Sequence, residues 1–432
     1  MIKKIITYIF MIVVLLGTFS YGEERTETGL NKEYTFRQDV KEARTLYIPM
    51  NEGNVNIRFV EGDEIVVDAN VSSNNKSKYS KSLLENFNIL MTEYCSCGSS
   101  GSKLMIEPYI DNKKVYRANI EKNMWFVMEN EFRWNDYCYD RNKTKITMNY
   151  DIAIPRNIKN IYLRTKDGQV TIPSQKINDV NVSLYKSTFN CKDINASSMN
   201  IEMFDESKMV FNGAVKLDGR FNMDMYNSSY GKLKSIEADS FNIELYSKSK
   251  LDLLGEIEVN NSANIDTYNS ELILTEESRI KSDNLMIETY DKSKCSLLGI
   301  IESSNSKIEN FDSHMYLSAD AFDSETLKIE AYNKAITDIE SRIKATSIKL
   351  SSFNSEININ SSVLVSDNLI IEAFSGSNMK IHSDFSSVSG GKIELYGPNT
   401  EVIIDSQDTV SSKLKREVYS KGYLFIDGEE YK

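Results

Sequence analysis

A short phrase recurs along most of this chain, between Val180 and Tyr396. Its clearest copy is Leu327-Lys-Ile-Glu-Ala-Tyr-Asn333, with close relatives at Phe241–Ser247, Leu285–Asp291 and Leu369–Ser375. The aromatic of the phrase falls at Tyr185, Phe204, Tyr226, Tyr246, Tyr268, Tyr290, Phe311, Tyr332, Phe353, Phe374 and Tyr396, with near-constant spacing. A fixed period of about 20 residues is the mark of a solenoid, in which each unit buries its apolar side against the next.

The residue three places before each aromatic is aliphatic throughout, as in Ile243, Ile265, Ile287, Ile308 and Ile329. The residue two places before it is usually acidic: Glu202, Asp224, Glu244, Asp266 and Glu288, then Glu309, Glu330, Glu372 and Glu394. This alternation at period two is the strand signal. After the ring stands Asn, Asp, Ser or Gly, types that accept tight turns. A second apolar pair follows, as in Leu272/Leu274 and Met315/Leu317, and a third, weaker apolar site closes the coil at Ile257, Ile280, Ile301, Phe322 and Ile343.

The i, i+3, i+4 stripe of a helix is missing, and the phrase is rich in Ile, Tyr, Ser and Asn. The expected fold is therefore all-β: a three-sided parallel β-solenoid with coils of about 21 residues. Three short strands and three turns make up each coil. One coil cannot stand alone. Its handful of buried side chains contributes ~1.5–3 kcal/mol each, against ~1–2 kcal/mol of backbone entropy for every residue ordered.

Taken in order, residues 1–22 read as an export signal, with Lys3 and Lys4 ahead of the apolar run Ile5–Phe19. The run is short for a membrane span. The mature chain is expected without a membrane span, in the periplasm, on the cell surface or secreted. Residues 23–91 read as an N-terminal cap and first irregular coils. Leu46–Ile57 there matches Ile161–Ile172 phrase for phrase, each with a Gly corner between two alternating strands. Residues 92–145 break the rhythm and hold Cys95, Cys97, Trp125, Trp134 and Cys138; they read as an aromatic-rich hairpin or flap. Residues 146–408 form the regular solenoid, and 409–432 a short C-terminal cap.

Catalytic chemistry finds little footing. His314 and His382 stand in separate repeats without metal spacing, and no nucleophile elbow, phosphate loop or zinc-protease motif occurs. A net charge of −12 argues against nucleic acid as a partner. No catalytic residue, metal or cofactor is assigned. The carboxylate column is the one enzyme-like feature, since β-helical polysaccharide lyases and hydrolases use acidic clusters. Here it repeats evenly, with Asn200, Asn222, Asn242 and Asn264, then Lys307, Lys328, Lys349 and Lys392, two positions earlier on the same face. A solvated, charge-balanced face is the simpler reading; Ca²⁺ along Glu202–Asp266 is the sharper one.

The aromatic column supplies the candidate binding residues Tyr226, Tyr246, Tyr268, Tyr290, Phe311 and Tyr332. If alternation holds to the strand end, these rings lie outside, beside the carboxylates, where they suit sugar rings or a protein surface. The varied residues just before them, Leu245, Thr267, Asn310 and Ser352, read as a position outside the deep core. Cys191 and Cys295 fall at inward positions. Cys138 has Cys95 or Cys97 as a disulfide partner, or the Cys95/Cys97 pair stays reduced or takes a metal.

The Gly-x-Val-x-Ile phrases at Gly53–Ile57 and Gly168–Ile172, behind an export signal, resemble the bacterial adhesin-type families that include the head GIN domains. The resemblance spans residues 40–75 and 145–400. It implies a secreted or envelope-facing β-solenoid with an unidentified protein or glycan ligand, and it brings no catalytic residues. A polysaccharide-active β-helix and a structural spacer joined end to end are the alternatives.

Overall fold

The structure is a computed structural model that describes residues 23–28, 31–40, 42–73, 78–94, 102–110, 113–114, 116–117, 133–134, 146–174, 176–318, 321–406, 413–419 and 421–431. The expected export signal, Trp125 and the cysteines Cys95, Cys97 and Cys138 lie outside the described residues, as does most of the expected flap. The chain divides into two compact units, Met1–Asn190 and Cys191–Lys432.

The second unit is a parallel β-solenoid. Ile287 sits in register with Ile265 on one side and Ile308 on the other, and Ile308 is in turn in register with Ile329. All four side chains are fully buried. The next side of the coil repeats the pattern: Leu251, Leu272, Cys295 and Met315 pair in succession, all with their side chains inside. The buried thiol of Cys295 takes the place of an aliphatic side chain, and burial pushes its pKa up to about 12.

The first corner follows the ring. Asn269, Asp291, Asp312, Asn333 and Asn354 all adopt left-handed backbone, with φ between 48° and 56°. Asn and Asp enter this region more readily than other side chains. In later coils Gly takes over nearby, at Gly376 and Gly397. A serine closes the corner from within: Ser249 and Ser293 donate to the carbonyls of Tyr246 and Tyr290 at 2.7 and 2.6 Å.

The third corner departs from the expected three short strands. A single strand bends through it, as in Glu256–Tyr268 (13 residues) and Arg279–Tyr290 (12 residues). The ladder skips only the bend residues, between Val259 and Ser262 in the first of these. The chain thus changes sides without a turn, and most backbone groups stay paired.

The position before the ring is a second departure. Leu245, Thr267, Thr289, Asn310, Ala331 and Ser352 are all fully buried, so this position belongs to the core. Its polar members satisfy one another inside. Thr289 donates to Asn310 at 2.8 Å; Asn310 donates to Thr337 and to the carbonyl of Ile336 at 3.0 and 2.8 Å. Mixed polarity here reflects internal hydrogen bonding, not exposure.

In the first unit, Asn160–Lys166 lies parallel between Ala43–Glu52 and Ile177–Tyr185. Ile161 pairs with Leu46, and Val170 with Val55, so the two matching phrases occupy neighbouring coils. Antiparallel strands then cover one side: Asn31–Asp39 pairs with Glu64–Ser73, which pairs with Ile146–Pro155. A helix at Lys78–Glu85, absent from the sequence reading, precedes the hairpin Phe87–Tyr94/Ser102–Ile110. The second arm of that hairpin joins Ala43–Glu52 in parallel.

The second unit ends in a hairpin, Tyr423–Ile426 against Glu429–Tyr431, across left-handed Asp427 and Gly428. No helix among the described residues is long and apolar enough to cross a membrane.

Candidate functional site

The strands that end in the aromatic carry three parallel rows on their outer side. Alternation dictates this, because residues four, two and zero places from the ring share one face. In-register parallel pairing then places like over like, Tyr246 over Tyr268 and Tyr268 over Tyr290.

The aromatic row is a continuous stack of eleven rings from Phe204 to Tyr419. Ring centroids are 4.2 to 5.0 Å apart and planes 2° to 10° from parallel. It includes the six candidate residues Tyr226, Tyr246, Tyr268, Tyr290, Phe311 and Tyr332, and runs one rung beyond the sequence reading, to Tyr419. Tyr185 belongs to the first unit and is buried. From Phe204 to Tyr396 each ring is half-buried. Stacked in this way, the rings cover one another's faces and turn their edges outward. A pyranose that needs a free ring face finds none along the row. Tyr419, 45% exposed, closes the row.

The carboxylate row has two chemically different stretches. Glu202, Asp224, Glu244, Asp266 and Glu288 stand half-buried at rung spacing, with asparagine two places earlier in all but the last. The asparagines form their own ladder: Asn222 donates to Asn200 at 2.6 Å, and Asn242 to Asn222 and Asn264 to Asn242 at 2.9 Å each. Carboxylates stacked this closely repel. Burial, with the charges of Glu244 and Glu202 on either side, raises Asp224 to about 7. Burial, with Glu288 and Glu244, raises Asp266 to about 6.

From Lys307 onward the second stretch is charge-balanced. Lys307 contacts Glu309 at 2.6 Å, Lys328 contacts Glu330 at 2.5 Å and Lys349 reaches Glu372 at 3.0 Å. Lys392 and Lys415 pair with Glu394 and Glu417 in the same way. The tyrosine hydroxyls join in. Tyr246 donates to Glu244 at 2.5 Å, and Tyr290 and Tyr419 donate to Glu288 and Glu417. Burial, this hydrogen bond and the carboxylate's charge all raise the phenol of Tyr246 above its usual range.

Among the described residues, no group of three or more His, Cys, Asp or Glu is arranged to hold a metal ion. His314 is exposed and contacts Asp338 at 2.8 Å; His382 is exposed on a neighbouring stretch of the same side. Cys191, like Cys295, is a buried free thiol. The chain matches no protein-family model, no curated protein and no solved structure.

Proposed function

We propose that this protein is an exported, non-enzymatic β-solenoid that binds a protein or glycan partner at the envelope or cell surface. Its contact surface is the outer face bearing the aromatic, carboxylate and Asn/Lys rows. One observation carries the reading: the aromatic row repeats over eleven rungs without a break, half-buried from Phe204 to Tyr396. A reacting centre needs neighbouring groups with different roles. A row of like groups serves extended contact, where many modest interactions add up. The ring edges and hydroxyls favour a protein surface over stacked sugars. The adhesin-type phrases at Gly53–Ile57 and Gly168–Ile172, and the charged and apolar run at Lys3–Phe19, point the same way.

The test is binding of the full chain to envelope extracts and to glycan arrays, beside the variant Tyr246→Ser/Tyr268→Ser/Tyr290→Ser. Retained binding by a folded variant overturns the face as the contact surface. Export is read from cell fractionation with N-terminal sequencing of the recovered chain; a cytoplasmic, unprocessed chain overturns it. Release of reducing or unsaturated sugar from polysaccharides would replace the binding reading with an enzymatic one.

A second reading, a spacer that joins copies end to end, draws on the last aromatic-bearing strand. Leu414–Tyr419 pairs on one edge only among the described residues. Tyr419 and Tyr423 beside it are 45% and 51% exposed. Against this, Arg416 takes the place of the inward aliphatic and lies over the ring of Tyr431 at 4.3 Å, a charged lid on the core. Mass by light scattering across concentration separates the two readings.

A further inference from the structure

The bend at the third corner leaves a groove along the outside of the second unit. Hollows of about 660 and 340 Å³ share Glu302, Ser303 and Ser304, and so form one channel crossing successive coils. One wall is built from the bend residues that the ladder skips: Asp283, Ser304, Glu325, Thr346 and Asp367, one from each successive coil. Carboxylate and hydroxyl alternate along it. Rungs are about 4.8 Å apart, so the carboxylates recur at about 10 Å.

The two walls differ in what their charges already hold. On the facing wall, Lys281 pairs with Glu258 at 2.8 Å, Lys344 with Asp323 at 3.5 Å, and Glu302 with Arg279. Asp283 and Glu325 have no ion-pair or hydrogen-bond partner among the described residues, and Asp367 only accepts from the Ser389 hydroxyl at 3.4 Å. Beneath this wall Ser282 turns inward, in register with Val259 and Ser303, and is 6% exposed, so the groove is lined by the flanking Lys281 and Asp283.

We propose that this groove binds a linear, partly N-deacetylated amino-sugar polymer laid along the solenoid axis. Ammonium groups of the polymer pair with Asp283, Glu325 and Asp367, and its hydroxyls meet Ser304 and Thr346 between them. An extended disaccharide unit spans about the two rungs that separate successive carboxylates. An extended peptide does not fit: at ~3.3 Å per residue, every third side chain reaches the right distance but points to the opposite face. A polyproline-type peptide does return a side chain every third residue, but its known grooves are lined with aromatics. No residue lining this groove is aromatic.

The experiment is calorimetric titration of the full chain with a β-1,4-linked glucosamine hexamer, its fully N-acetylated counterpart, a glucosamine dimer and a Lys-Pro-Pro repeat peptide. The glucosamine hexamer should bind most tightly and the dimer weakly, and added salt should weaken both. The variant Asp283→Asn/Glu325→Gln/Asp367→Asn should lose about tenfold or more in affinity. Because the chain is acidic overall, Glu276→Gln/Glu277→Gln/Asp291→Asn, with the same charge change outside the groove, must leave binding intact. Ser304→Arg, which fills the channel, should abolish it. Equal loss in the control variant, equal binding of the acetylated hexamer, or tighter binding of the peptide would each overturn the proposal. The aromatic-row variant should bind the hexamer normally, which separates this site from the proposed contact face.

Discussion

Tyr268 and Tyr290 lie face to face, ring centroids 4.7 Å apart and planes 4° from parallel. Their strands pair in register, so the distance between rings is set by the backbone ladder, close to its own repeat. The stack is thus a consequence of identical coils, and each ring shields the next from water.

A ring removed from the middle of the stack leaves two faces uncovered. Tyr268→Ser should destabilise the second unit by about 1–3 kcal/mol, from two stacking contacts of ~0.5–1.5 kcal/mol each. Tyr268→Phe keeps the stack and should cost well under half as much. Local opening, read by amide hydrogen exchange at rungs 246–290, is the suitable measurement, since repeat folds need not unfold in one step.

The unbalanced stretch of carboxylates makes stability depend on pH in the opposite sense to a salt-bridged acid. Asp224 is raised to about 7 and Asp266 to about 6, both chiefly by burial. Between the ordinary aspartate range and these values the folded state holds more protons than the unfolded state. Stability therefore falls as pH rises from about 4 to 7. Asp224→Asn removes one such charge from between Glu202 and Glu244. It should stabilise the protein at pH 8, on the order of 1–3 kcal/mol after allowance for solvent screening, and do little at pH 4. Melting curves at the two pH values decide this; equal shifts at both would show that the charge is not the cause.

The balanced stretch should behave in the usual way. Glu330 is buried and contacts Lys328 at 2.5 Å. Lys328→Met strands that carboxylate and should cost about 1–3 kcal/mol, at or below the ~3–5 kcal/mol of a fully buried pair because the ammonium is partly solvated. Adding Glu330→Gln should recover most of the loss. A double-mutant cycle without coupling would contradict the pairing.

Asn310 carries an internal network that an apolar residue cannot replace. Asn310→Leu would leave Thr337 and the Ile336 carbonyl without the amide that now serves them. The expected cost is about 1–3 kcal/mol, from stranded polar groups. Faster exchange of amides in Ile336–Ile339 would locate the damage; unchanged exchange there would mean that the network re-forms without Asn310.

Much of the candidate face was legible because its signals are local. A ring once per coil, an aliphatic three places earlier and an acid two places earlier follow from strand alternation alone. The partition of the acid row was legible as well, since Asn200–Asn264 and Lys307–Lys392 mark its two halves. The position before the ring misled, because Thr289 and Asn310 are polar yet satisfied inside. The groove was not legible in this way, although Asp283, Ser304, Glu325, Thr346 and Asp367 recur once per coil. Their signal is chemical alternation over two coils, with no single residue type repeated in every coil.

What the chain's order of residues determined by itself is the coil: its length, its inward aliphatics, its left-handed corner residues and the type of side chain each row carries. These depend on neighbours a few places away, where backbone sterics and period-two alternation leave little choice. What only the tertiary structure decided is how rows from different coils meet. Stacking turned ring faces into ring edges, raised Asp224 and Asp266 by burying them among like charges, let a strand bend where a turn was expected, and opened a groove there. Each of these arises from distances between residues a whole coil apart, which the repeat implies but local chemistry does not set.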